Sequence, residues 1–194
     1  MNEATEKRLH EIETEIAAKL EERRSLLKES AGENVENYRM KRDDGTEVSL
    51  SELFGDKDEL ILVHNMGKSC SYCTLWADGF NGVAHHLADR VSFVVASPNS
   101  PEVQQEFARS RGWKFPMVSD EESDFTRDMG FLTEQDGKTY YLPGVSVFTK
   151  GEDGSISRVS YDFFGPGDSY AGIWHLFDLL PEGPGEWHPQ ISYA

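Results

Sequence analysis

The chain has 194 residues, with 19 Lys and Arg against 35 Asp and Glu, and its net charge is −16. This length suits one domain with a full core, and a hydrophobic content of 38% argues against wholesale disorder. A strongly negative chain repels phosphates, so we expect no nucleic-acid partner. No apolar run approaches the roughly 20 residues that span a bilayer, and the N-terminal segment lacks the apolar core of a signal peptide. We therefore expect a cytoplasmic protein without a membrane partner.

The N-terminal segment is polar but periodic. Large aliphatic residues recur there every three or four positions, with one wider gap, at Leu9, Ile12, Ile16, Leu20 and Leu27. This spacing predicts one helix from about Ala4 to Glu29, with a period nearer 3.6 than 3.5 residues. Such a helix packs on a body, either the chain's own domain or a second subunit, rather than forming a long coiled coil. We favour a homodimer held partly by this helix, because a marginal helix needs a partner surface.

The middle of the chain alternates strand and helix patterns. Ser49 and Glu52 form a capping-box pair that opens a short helix. The apolar run 60–63 predicts a strand buried on both faces, and a helix follows it, with a bend expected near its two glycines. The segment VSFVVAS is a second buried strand. Ser100 then caps a helix that should run to Gly112.

The C-terminal part predicts a hairpin and a last helix. Residues 114–120 look extended, and a short helix follows them and ends at Gly130. The segments YYLPGVSVFT and ISRVSYDFF flank a glycine-containing turn, which is typical of an antiparallel hairpin. The final helix should bury Ile173, Leu176, Phe177 and Leu180 on one face. The order of elements predicts an α/β sheet that ends in a hairpin.

The chain has two cysteines, Cys70 and Cys73, separated by two residues. A bridge across so short a loop removes little entropy from the unfolded chain, so redox chemistry, a metal site or chance must explain the pair. It lies where a buried strand ends and a helix begins, and the backbone N–H groups and the helix dipole there favour a thiolate. We predict that Cys70 is the nucleophile and the more exposed thiol. Cys73, one turn later, is then the resolving thiol, and the two form an intramolecular disulfide.

Four neighbouring residues are candidate modulators of the pair. Lys68 either lowers the pKa of the first thiol or is a bystander. Tyr72 lies between the two thiols, as in glutaredoxins. His64, at the end of the buried strand, is either a hydrogen-bonded structural histidine or a proton relay. Trp76, one turn after the second thiol, is more typical of packing than of a substrate platform.

The succession of strand, CxxC, helix, strand, helix and proline-led hairpin resembles the thioredoxin superfamily from Asp58 to Leu180. In that superfamily a cis-proline opens the strand that faces the CxxC, and the segment LPGVSVFTKGEDG places Pro143 accordingly. The resemblance implies an α/β, thioredoxin-like fold with a central mixed sheet flanked by helices. It also implies that Pro143 belongs to the catalytic site and that the Leu142–Pro143 bond is cis.

Two further segments refine the resemblance. FPMVSDEESDFTRDMG is similar to the insertion of peroxiredoxin-like and AhpC/TSA-type proteins, whereas VHNMGKSC lacks the Pro and Thr of a typical peroxidase site. The segments EERRSLL, VSLSELF, CSYCTLWAD and GWKFP resemble the thioredoxin-like family called domain of unknown function 899. Members of that family are predicted dithiol-disulfide oxidoreductases.

Together these residues predict a dithiol-disulfide oxidoreductase that acts on a protein or small-molecule disulfide and needs no cofactor or metal. The alternative is a non-catalytic binding or scaffold protein in which the cysteines are structural or form half a zinc site. Zinc would need two more ligands, but His85 and His86 are adjacent in sequence and His64 is the one remaining candidate nearby. We assign residues 1–32 to a helical extension for oligomerisation or packing, 33–180 to the thioredoxin-like domain and 181–194 to a tail.

Overall fold

The structure, a computed structural model, describes residues 2–29 and 32–193. The helices in these ranges are α1 (Glu3–Glu29), α2 (Ser71–Arg90), α3 (Pro101–Arg111), α4 (Phe125–Asp128) and α5 (Ile173–Phe177), with a 3-10 helix at Leu50–Phe54. The strands are β1 (Glu33–Asn34), β2 (Arg39–Arg42), β3 (Glu47–Ser49), β4 (Glu59–His64), β5 (Ser92–Ser97), β6 (Met117–Ser119), β7 (Leu132–Gln135), β8 (Lys138–Tyr141), β9 (Gly144–Lys150) and β10 (Ile156–Phe163). Residues 1, 30 and 31 of the predicted extension 1–32, and residue 194 of the predicted tail, lie outside the described residues.

One mixed sheet of eight strands forms the centre of the fold, in the order β1-β10-β9-β4-β5-β6-β2-β3. The strands β4, β5 and β6 are parallel, and β9 and β10 join them as an antiparallel hairpin. The apolar run at 60–63 lies in β4, between β9 and β5, as expected for a strand covered on both faces. The carboxyl end of β4 leads directly to the two cysteines.

The two faces of the sheet bury separate apolar clusters, because successive side chains of a strand point to opposite faces. On one face, Leu60 and Leu62 of β4 pack with Phe148 and with the phenylalanines of the α4 region. On the other face, Val63 packs with α2 and with the aromatic residues near the C-terminus. The thiol of Cys73 belongs to this second cluster, on the α2 side.

Several predicted elements are confirmed, and others differ. The capping box is present, because the Glu52 carboxylate accepts the backbone N–H of Ser49 at 2.8 Å and its hydroxyl at 2.6 Å. The helix α3 ends before Gly112, which adopts the left-handed conformation that glycine favours. The helix α2 continues without interruption through Gly79 and Gly82.

The final helix is shorter than its apolar pattern predicts. It covers Ile173–Phe177, and Trp174 is its one buried residue. Leu176 is 65% exposed and Leu180 is 52% exposed, so of the predicted apolar face Ile173 and Phe177 pack against the second cluster and the two leucines do not. The strands β7 and β8, on either side of Asp136 and Gly137, form a two-stranded sheet that the pattern did not indicate.

None of the helices among residues 2–29 and 32–193 is long and apolar enough to cross a membrane.

Candidate functional site

The loop between β4 and α2 is held by asparagine side chains at both ends. The Asn65 Oδ1 atom accepts the backbone N–H of Gly67 at 2.8 Å, and the Asn99 Oδ1 atom accepts that of Lys68 at 2.8 Å. Gly67 has a φ of +102°, and a Cβ at this position would lie 2.7 Å from the Asn99 Oδ1 atom. The loop therefore needs glycine here, and it delivers the next residues to the start of α2 in one fixed conformation.

Cys70 is the N-cap residue of α2. Its backbone is extended, with φ −90° and ψ 110°, and its Sγ atom accepts the backbone N–H of Cys73 at 3.0 Å. This N–H is one of the donors that the first turn of a helix leaves without an intrahelical partner. A sulfur therefore occupies the capping position that Ser, Thr, Asp or Asn usually fills, and a thiolate is the stronger acceptor there.

The two thiols have opposite surroundings. The pKa of Cys70 is lowered to about 7, because the Cys73 thiol donates a hydrogen bond to it and the backbone N–H groups of Cys73 and Tyr72 also stabilise the anion. Cys73 is 2% exposed, and its pKa is raised by the same hydrogen bond, by burial and by the nearby Cys70 charge. Both cysteines are free, and Cys70 is the more exposed, as predicted. The geometry thus separates a thiol that ionises near neutral pH from a neighbour that keeps its proton.

His64 is directed away from the thiols. It lies on the same face of β4 as Leu60 and Leu62, and its ring stacks on Phe131 at 3.9 Å between centroids. Its Nε2 atom and the hydroxyl of Ser146 form a hydrogen bond of 2.9 Å. Burial, with a smaller contribution from Arg158, lowers the pKa of His64 to about 3. Of the two roles considered, the structural histidine fits these surroundings, and a direct proton relay to the opposite face does not.

The other candidate modulators act through packing or backbone contacts. Lys68 is exposed and is not among the groups that lower the pKa of Cys70. Tyr72 contributes its backbone N–H, while its ring packs against Trp174 and its hydroxyl forms a hydrogen bond of 2.9 Å with His188 Nδ1. Trp76 is 2% exposed and donates its indole N–H to Asp168 at 3.3 Å, so it is a packing residue.

Pro143 lies at the expected end of the sheet. The next residue, Gly144, pairs with His64 at the end of β4, where the cysteine loop begins. The predicted cis bond is wrong, because no peptide bond in the described ranges is cis. The backbone on either side is already satisfied in the ordinary trans form: Leu142 donates its N–H to the Phe131 carbonyl at 2.8 Å, and the Pro143 carbonyl accepts that of Phe164 at 2.9 Å.

Three residues of the site were missed from the sequence. Asn65 carried a local signal, since an Asn two residues before a Gly is typical of a side-chain-stabilised turn. Asn99 and His188 carried none, because their partners are 31 and 116 residues away along the chain. The tail that holds His188 also packs Trp187 against Trp174 and Phe177.

The described residues supply no further ligands for a zinc site at the two cysteines. Across the described ranges, no group of three or more His, Cys, Asp and Glu side chains is placed to hold a metal ion. The rings of His85 and His86 lie 3.9 Å apart between centroids on α2, tilted by 41°, and His64 is buried on the opposite face of the sheet from Cys73.

The mixed sheet and the flanking helices, with the dithiol at the start of α2, define a thioredoxin-like fold of peroxiredoxin architecture. Solved structures share this fold. Peroxidoxin BcpB from Mycobacterium tuberculosis matches with a TM-score of 0.58 and 23% identity over 74% of this chain and 90% of its own. A mutant of PrxQ from Xylella fastidiosa matches with a TM-score of 0.57 and 16% identity over 73% of this chain and 90% of its own. Bacterioferritin comigratory protein from Xanthomonas campestris matches with a TM-score of 0.53 and 20% identity, over 70% and 83%.

The family profile described as "Bacterial protein of unknown function (DUF899)" matches residues 3–193, and the chain therefore belongs to this family. None of the curated proteins compared with the chain matches it.

Proposed function

We propose that the protein is a dithiol-disulfide oxidoreductase in which Cys70 is the nucleophile and Cys73 the resolving thiol. The observation that carries this proposal is the hydrogen bond of 3.0 Å from the Cys73 N–H to the Cys70 sulfur at the α2 N-cap. It accompanies a pKa of about 7 for Cys70 and a raised pKa for the buried Cys73. At neutral pH a large fraction of Cys70 is then thiolate, the form that attacks disulfides.

The reaction proceeds in two exchanges. The Cys70 thiolate attacks one sulfur of the substrate disulfide, so that a Cys70–substrate bond forms, the substrate S–S bond breaks and one thiolate leaves and takes up a proton. Cys73 then loses its proton and attacks the Cys70 sulfur, and the second substrate thiolate leaves. Two electrons pass from the protein to the substrate, and the protein is left with a Cys70–Cys73 disulfide. A protein or small-molecule thiol supplies the electrons for the next cycle.

A second candidate is peroxide reduction by the same thiols. It is favoured by the fold shared with peroxiredoxins, among them the Xanthomonas campestris protein, which has alkyl peroxide reduction activity. The Cys70 thiolate would attack one peroxide oxygen to give a sulfenic acid and an alcohol or water. Cys73 would then condense with the sulfenic acid to form the disulfide and release water. The segment before Cys70, HNMGKS, lacks Pro and Thr, so dithiol exchange remains the first choice.

Cysteine variants distinguish the roles of the two thiols. Cys73→Ser protein is incubated with oxidised glutathione, and Cys70→Ser protein is the matched control. We expect the first variant to accumulate a glutathione adduct on Cys70, the control to accumulate little, and the wild type to form its internal disulfide. Equal adducts in both variants would overturn the assigned roles, and no adduct in either would favour the non-catalytic alternative.

Parallel reactions with hydrogen peroxide and with oxidised glutathione decide between the two substrate classes. The rate of loss of free thiols in the wild type is measured for each oxidant at neutral pH. A faster reaction with the disulfide supports the first proposal, whereas a strong preference for peroxide replaces it with the second.

A further inference from the structure

The helix α1 is 27 residues long, and none of its residues is buried. Within the described ranges, one hydrogen-bonded ion pair joins it to the rest of the chain, from Arg23 Nη2 to Asp162 Oδ2 at 2.7 Å. Such a helix gains little stability from contacts with its own domain, although the stability of helices in proteins comes mostly from packing of an apolar face. We therefore expect the surface that packs against α1 to lie outside its own domain.

The apolar face of α1 is continuous and exposed. Leu9, Ile12, Ile16 and Leu20 are exposed at 44%, 36%, 54% and 47%. At about 100° per residue these four side chains lie within one narrow stripe along the helix. The same stripe reaches Leu27, which lines a cleft of about 500 Å³ between the sheet and α2. Only the last turns of α1 are thus near the body, and the stripe from Leu9 to Leu20 is left open.

The charges beside the stripe favour an antiparallel partner of the same sequence. Residues 3–15 carry five Glu against one Lys and one Arg, whereas residues 16–29 carry four Lys and Arg against three Glu. In an antiparallel pair the acidic half of one helix lies against the more basic half of the other. In a parallel pair the two acidic halves would lie side by side.

One ion pair fixes the register. Glu6 and Arg24 are 18 residues apart, which is about five helical turns, so they lie on the same flank of α1. In antiparallel helices the same flanks face each other. A two-fold axis near residue 14 or 15 places Leu9 of one copy opposite Leu20 of the other. The same axis places Glu6 of each copy beside Arg24 of the other copy. The apolar stripe and the charges therefore share one midpoint.

We propose that α1 is the dimerisation element of this protein and pairs antiparallel with α1 of a second copy, with the apolar stripe as the contact and two symmetric Glu6–Arg24 ion pairs beside it. The contact is isologous, so it closes after two copies and does not propagate into a fibre. Because the stripe drifts at a period near 3.6, the helices cross over a few turns and do not form a long coiled coil.

The first test is the oligomeric state of the full chain by sedimentation equilibrium. Ile16→Glu places a charge in the stripe, and Ala18→Glu adds the same charge on the opposite face of α1. We expect a dimer for the wild type and for A18E, and at least tenfold weaker dimerisation for I16E. Both variants introduce a good helix former, and circular dichroism checks that the helix persists. A monomeric wild type at the highest soluble concentration, or equal weakening by both variants, would overturn the proposal.

The second test addresses register by charge exchange. Glu6→Lys and Arg24→Glu each convert two attractive contacts into repulsive ones, and we expect each to weaken the dimer roughly tenfold. The double variant restores both pairs with opposite polarity and leaves the net charge of the chain unchanged, so its dimer should recover to near the wild-type affinity. A double variant that dimerises no better than the single variants contradicts the antiparallel register.

Discussion

At the scale of single residues, the Cys70 and Cys73 thiols show how two chemically identical groups acquire different pKa values. Cys70 receives hydrogen bonds from Cys73 and from the first turn of α2, whereas Cys73 is buried and donates to Cys70. Hydrogen bonds to the anion lower a pKa, and burial or a neighbouring negative charge raises it. The Cys73 thiol and the first turn of α2 together favour the thiolate at Cys70, the sulfur for which we propose the attacking role.

The pKa of Cys70 should depend on the Cys73 thiol. We expect a value of about 7 in the wild type, because the Cys73 thiol makes the largest stabilising contribution. Cys73→Ala removes this donor, so the pKa of Cys70 rises and its alkylation by iodoacetamide at pH 7 slows several-fold. Ser71→Ala is the control, and the pKa of Cys70 in this variant should match the wild-type value. The measurement is the alkylation rate as a function of pH, and an unchanged pKa in C73A would contradict the assignment.

His64 should make the protein sensitive to acid. In the folded chain its pKa is about 3 because of burial, so it stays neutral there, while in the unfolded chain it binds a proton below about pH 6.5. The unfolded state therefore binds more protons between these values, and stability falls as the pH falls through this window. We expect His64 to account for about 2 to 3 kcal/mol of the loss between pH 6.5 and pH 4.5.

The double variant His64→Phe/Ser146→Ala isolates this contribution. It replaces both hydrogen-bonding partners, so that no buried hydroxyl is left without a partner. Urea unfolding at the two pH values should show a smaller acid loss in the variant than in the wild type. An identical loss in both proteins would show that other groups cause the acid sensitivity.

At the scale of elements, β9 and α2 place opposite demands on their glycines. A Cβ at Gly144 would collide with the Phe131 ring and the Asp162 carbonyl, whereas a Cβ at Gly82 of α2 meets nothing within 4 Å. We expect Gly144→Ala to lower the free energy of unfolding by about 2 kcal/mol or more, as overpacking does. Gly82→Ala should raise it by roughly 0.5 to 1 kcal/mol, because Gly is a poor helix former. Chemical denaturation measures both, and a neutral Gly144→Ala would refute the close packing.

Most of the central elements could be predicted from local pattern, and the failures have physical causes. The run at 60–63 and the periodicity of α2 identified the strand and the helix that hold the dithiol. Burial on both faces requires a continuous apolar run, and an amphipathic helix requires apolar residues at helical spacing, so both patterns are visible in the local sequence. The helix α2 continues through the glycines at 79 and 82, since its packing against the sheet outweighs their weak helix propensity. The prediction for the final helix was wrong for the opposite reason. Leu176 and Leu180 have helical spacing, but no described part of the fold covers them.

The site was predicted in part. The greater exposure of Cys70 followed from its position before a helix. The direction in which His64 points depends on the register of β4, which two-residue alternation fixes only once the sheet is known. The cis form of Pro143 was inferred from a resemblance and is wrong for this chain.

At the scale of the whole molecule, α1 and the body are nearly independent. Removal of residues 1–29 should change the free energy of unfolding of the body by less than about 1 kcal/mol, because α1 buries no residue and its ion pair with Asp162 is exposed. Because the body is independent of α1, only the melting of α1 in the full chain should shift to higher temperature as the protein concentration rises, whereas the unfolding midpoint of the body should not shift in either chain. Thermal unfolding over a range of concentrations checks both statements. A shortened chain that is several kcal/mol less stable would mean that α1 belongs to the core.

The position of Cys73 behind Cys70 also bears on oxidative damage. A thiolate that reacts with strong oxidants passes from sulfenic to sulfinic acid, and the second step is irreversible in most proteins. Here any sulfenic acid on Cys70 has a second sulfur already in hydrogen-bonding contact, so disulfide formation competes as an intramolecular step with the next oxidant molecule. The buried thiol itself is shielded from solvent. The same arrangement that sets the pKa of the pair therefore favours a reducible disulfide over an irreversibly oxidised sulfur as the product of oxidation.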